Sequence, residues 1–160
     1  MKGIRAMALV CATAATVAAC DPGLPTAGLA LVHDRDGGVV VVVQACEEFT
    51  AIELGPGDDF WGKETVVLQT GEPERHARID LDDAEEWSFG TGSATTLGAL
   101  RAPFFARVVA PEGGVVEVAA FDRTPEPGRA LAVQPSEDPP LVDVPAGDLA
   151  DLLAEACASR

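Results

Sequence analysis

Tyrosine and asparagine are absent from this chain, and lysine occurs only at Lys2 and Lys63. Positive charge is scarce: 11 Lys and Arg stand against 26 Asp and Glu, a formal net charge of −15. Such a surface repels phosphate backbones and anionic headgroups, which excludes nucleic acid as a partner and headgroup electrostatics as a membrane attachment. Ala, Gly and Val dominate instead. Also missing are a G-x-S-x-G elbow, an H-E-x-x-H helix, a C-x-x-C pair and a phosphate loop. Gly90-Thr91-Gly92 begins like a dinucleotide fingerprint, but Thr95 stands where the third glycine belongs and no βαβ pattern surrounds it. No cofactor is expected.

What is present begins with a leader. Met1-Lys2-Gly3-Ile4-Arg5 is basic, Ala6 to Ala19 is apolar, and Val17-Ala18-Ala19 places small residues before Cys20. That is the layout of a secretory signal. The apolar run of 14 residues falls short of the ~20 needed to span a bilayer, so a retained transmembrane helix is disfavoured. The four residues ending at Cys20 resemble the lipobox of bacterial lipoproteins. The resemblance implies that Cys20 is diacylated on sulfur and becomes the mature N-terminus. It covers the first twenty residues only. The residues missing or rare here (Asn, Tyr, Lys, Ile) have AT-rich codons, so the chain is similar to the small lipoproteins of high-GC Gram-positive bacteria. Ordinary secretory cleavage at the same bond is the competing expectation, and gives a secreted protein.

Cysteine parity favours the lipid. Cys11 leaves with the leader, so Cys20, Cys46 and Cys157 remain. An odd thiol in an exported protein is a liability unless it is modified or bridged to another chain. With Cys20 acylated, Cys46 and Cys157 form an even pair that can close in an oxidising compartment. A zinc site is disfavoured, because two distant cysteines with only His33 and His76 match no ligand spacing. The organisation expected is therefore a cleaved signal over 1–19, a lipidated tether over 20–26 and one domain over 27–160. Loss of Lys2 and Arg5 with the leader takes the formal charge from −15 to −17.

The domain reads as mainly β. Strand signals recur between Gly, Pro and Asp clusters: Leu29–His33, Val39–Cys46, Thr50–Leu54, Glu64–Gln69, His76–Leu81, Phe104–Ala110, Val115–Phe121 and Ala130–Gln134. Asp34 to Gly38 and Pro111 to Gly114 are hairpin turns with glycine. Five consecutive valines, Val39 to Val43, imply a central strand covered on both faces. In the strand after the second turn, Glu117 facing water would put Val116, Val118 and Ala120 in the core. The period then changes. Leu149, Leu152, Leu153, Ala156 and Cys157 share one helical face, and Asp148 can cap the first turn. The expected fold is an antiparallel β-sandwich of about seven or eight strands with one C-terminal helix.

Candidate chemistry is thin. His33, beside Asp34 at a strand end, could serve as a base toward Ser88 or Ser93, although sequence neighbours on a strand point to opposite faces. His76 lies on an outward face. Asp80, Asp82, Asp83, Glu85 and Glu86 form the densest acidic run, but lack the glycine and terminal glutamate of an EF-hand, so no metal site is assigned. Phe60, Trp61, Trp87 and Phe89 lie beside small polar residues and form the candidate binding surface. The function expected is a non-enzymatic envelope module, held on the membrane through Cys20 and binding an envelope protein or cell-wall component. A small hydrolase and a calcium-dependent adhesion module are the alternatives.

Overall fold

The computed structural model describes residues 27–57, 65–83, 88–89, 100, 102–134 and 140–158. Phe60, Trp61, Trp87 and Cys20 lie outside these, as does the side chain of Phe89. The described chain is mainly β, an eight-stranded antiparallel sheet with one C-terminal helix.

The first hairpin joins β1 (Ala27–His33) to β2 (Val39–Pro56), in register from Ala27 opposite Ala45 to His33 opposite Val39. Its turn closes because Asp34 N–H donates to Gly38 C=O at 2.9 Å and Gly37 N–H to Asp34 C=O at 3.1 Å. Gly37 takes φ +95°, a conformation that side chains disfavour. The same device joins β5 (Phe104–Val109) to β6 (Val115–Phe121), where Ala110 N–H meets Gly114 C=O at 2.8 Å and Gly113 has φ +82°.

Two pairs of expected strands are in fact two long ones. β2 runs for 18 residues, and β3 (Val66–Asp80) for 15. They pair as one ribbon whose register is interrupted between Gln44 and Phe49 and again between Phe49 and Ala51. Before the interruption, β2 lies between β1 and the end of β3; after it, between the start of β3 and β5. The ribbon therefore belongs to two layers, and the irregular stretch is the corner where the sheet turns over. One layer continues from β1 through β7 (Arg129–Val133) to β8 (Leu141–Pro145). The other continues through β5 to β6, with the two-residue β4 (Ser88–Phe89) on the far edge of β3.

The core fills the space between the layers. Leu29, Leu31, Val41, Ile52, Ile79 and Leu131 are fully enclosed. Phe104 and Phe121 pack with ring centroids 5.4 Å apart. Phe105 points to the opposite face and lies across Gly55, its cross-strand neighbour. On that face Arg107 pairs with Glu53.

The phase of β6 differs from expectation. Ala119 and Phe121 are buried, so alternation places Glu117 on the inner face, opposite Val108. An irregularity beside Val109 and Val115 lets Val116 also pack on the core. The partner strand, not the charge at Glu117, sets the register.

A second apolar layer lies outside β1. Ala30, Val32, Val40, Ala130 and Ala132 meet Leu149 and Leu153 of α1 (Leu149–Ala158). β1 and the start of β2 are thus covered on both faces, as the valine run implied. Small residues let the helix approach closely: a Cβ on Gly28 would stand 2.6 Å from the Leu153 Cδ2. Asp148 belongs to a 3-10 turn leading into α1. The helix ends at a disulfide between Cys157 and Cys46, with Cα atoms 5.3 Å apart across 111 residues. No described helix is long and apolar enough to cross a membrane.

Candidate functional site

Strand ends converge at one pole of the sheet. β1 stops at His33, β2 begins at Val39, β3 ends at Asp80, and β5 starts at Phe104. Between them opens a cleft of about 310 Å³. Its apolar wall comes from Val39, Leu81, Leu100 and Phe104, and its polar groups from His33, Asp82 and Thr124. Concavity, apolar walls and a few converging polar groups are the usual properties of a ligand site.

Local hydrogen bonds fix His33 and the chain at Asp82. His33 is half-buried, and its Nδ1–H donates to the Pro125 carbonyl at 2.9 Å. A carbonyl can only accept, so the neutral ring carries its lone pair on Nε2. The carbonyl stays in place because Pro125 is buried and Gly128 N–H donates to His33 C=O at 2.7 Å. Glu126-Pro127-Gly128-Arg129 is a tight turn with Arg129 N–H on Glu126 C=O at 2.9 Å and Gly128 at φ +78°. Proline then glycine is what a type II turn requires. Asp82 follows Leu81, whose N–H extends the ladder to Val39 C=O at 3.0 Å. The Asp82 N–H then donates to the Asp80 carboxylate at 2.9 Å, which bends the chain at the cleft mouth.

The sequence neighbour of His33 does not partner it. Asp34 accepts from Arg78 at 2.5 Å instead. His76 is exposed on β3 and lines no part of the cleft. Of the acidic run, Asp80, Asp82 and Asp83 are described. Among the described residues no group of three His, Cys, Asp or Glu is placed to hold a metal ion. Phe60, Trp61 and Trp87 fall outside the described residues, as does the side chain of Phe89, whose backbone pairs with Leu68. Sequence reading marked His33 and Asp82 separately and passed over Thr124. The one available signal was that all three stand at or shortly after strand ends, which the folded-over sheet brings together.

One further ionisable group is partly buried. Burial pushes the Glu117 carboxyl above its ordinary value, and the Val118 N–H, donating to Oε1 at 3.1 Å, partly opposes this.

Comparisons with protein-family models, with curated proteins and with solved structures each found no match.

Proposed function

We propose that this protein is a lipid-anchored extracytoplasmic domain that binds a small ligand in the His33–Asp82 cleft. The observation that carries the reading is the Cys46–Cys157 bond, a pairing that persists in oxidising compartments. With Cys11 in the leader and that pair joined, Cys20 is left over by count, at the position the lipobox resemblance marks for acylation. Two acyl chains hold a protein on a bilayer without further contacts. Binding rather than turnover is supported by the surroundings of His33. Among the described residues its ring is oriented by a main-chain carbonyl, with no carboxylate or hydroxyl completing a proton relay.

Intact-mass analysis of the native product from the membrane fraction tests the anchor. The expected mass is that of residues 20–160 plus a diacylglyceryl group, less the two hydrogens of the disulfide. An unmodified product recovered in the soluble fraction overturns it. The convergence of His33, Asp82 and Thr124 also favours a second reading, ester or amide hydrolysis. Turnover of such substrates that His33→Ala abolishes would replace binding with catalysis.

A further inference from the structure

Resting on the reading of the cleft as a ligand site, we infer that its ligand is a small organic cation, a primary ammonium group on an apolar body. The polar side chains of the lining are hydrogen-bond acceptors first. His33, with its Nδ1–H committed to Pro125, offers the Nε2 lone pair, and the Asp82 carboxylate only accepts. Thr124 alone among them can also donate. A ligand that engages His33 and Asp82 must therefore bring donors. None of the described lining residues carries a positive charge, and the Arg78 guanidinium is paired with Asp34.

Charge points the same way. A chain with 26 carboxylates and 11 cations draws small cations toward a low-dielectric mouth and repels carboxylates and phosphates. The body of the ligand is set by Val39, Leu81, Leu100 and Phe104, which offer only van der Waals contact. A volume of about 310 Å³ lies at the small end for ligand sites, enough for one ring or a short alkyl chain. The ammonium faces Asp82 and His33 at the rim, and the apolar part enters toward Phe104.

The test uses 2-phenylethylammonium, with 2-phenylethanol and 3-phenylpropionate as its neutral and anionic counterparts. Each is titrated at millimolar concentration into the isotopically labelled full chain, and amide shifts are followed by NMR. The ammonium is expected to shift Gly37, Val39, Asp82 and Thr124, and to bind about tenfold more tightly than the alcohol, the worth of one charge-assisted hydrogen bond. Asp82→Asn, at an exposed position, should bring it down to the alcohol's affinity with Tm unchanged. Equal or tighter binding of the alcohol or the carboxylate at these residues overturns the cation and leaves the cleft as a site. Unchanged ammonium binding by Asp82→Asn also overturns it. If none of the three shifts the cleft amides, the cleft reading itself falls, while the anchor still stands or falls on its mass.

Discussion

Gly55 sits beneath the ring of Phe105, where an added Cβ would lie 2.6 Å from the Phe105 Cζ. The ring is fully enclosed and cannot give way cheaply. Gly55→Ala is therefore expected to destabilise the fold by about 1–3 kcal/mol, the usual range for overpacking. Gly71, where a Cβ meets nothing within 4 Å, supplies the control. Gly71→Ala should stay within about 0.5 kcal/mol, both changes being read from chemical denaturation. Glu117 makes a pH-dependent prediction. Its carboxyl titrates above 4.5 in the folded chain, so between 4.5 and the raised value the folded state holds more protons than the unfolded one. Stability from this group is present at low pH and is lost as pH rises through that window. Glu117→Gln removes the loss. Its Tm should match the parent's in acid and exceed it at neutral pH, and a parent that is equally stable or more stable at neutral pH would contradict the burial argument.

Among the elements, α1 depends on two contacts at the same end of β1. Leu153 rests on Gly28, and Cys157 is bonded to Cys46, the residue after Ala45, which pairs with Ala27. In the chain-entropy account a cross-link of this span contributes about 4–5 kcal/mol. Cys46→Ala with Cys157→Ala should cost about that much by denaturant titration, and hydrogen exchange should quicken first in α1. The helix was legible in the sequence because Leu149, Leu152, Leu153 and Cys157 share one stripe. So was the first hairpin, where glycines and apolar runs agree. The continuity of β2 and β3 was not legible. Polar stretches at Cys46–Thr50 and Thr70–Arg75 look like loops, whereas they form the corner of one ribbon. β8 went unread because prolines crowd both its ends, and proline is tolerated there only on an edge. The phase of β6 was misread because a charged residue was assumed to face water.

At the scale of the whole molecule, the cleft was the least legible feature, since its lining comes from segments as distant as His33 and Thr124. No local pattern encodes that meeting; only the folding over of the sheet does. The proposed anchor is the reverse case, resting entirely on the first twenty residues. Cys20→Ser should move the protein from the membrane pellet to the supernatant, whereas a high-salt wash should leave the parent chain in place. Release of the parent by salt would instead point to an ionic attachment, which the acidic surface argues against.

The direction of β1 separates the disulfide from the cleft. Cys20 precedes the strand at Ala27, and His33 closes it about 20 Å away at the usual rise per residue. The disulfide thus stands beside the Ala27 end of β1, and the mouth opens at the His33 end. If the proposed acylation of Cys20 holds, an opening at the far end of β1 faces away from the lipid.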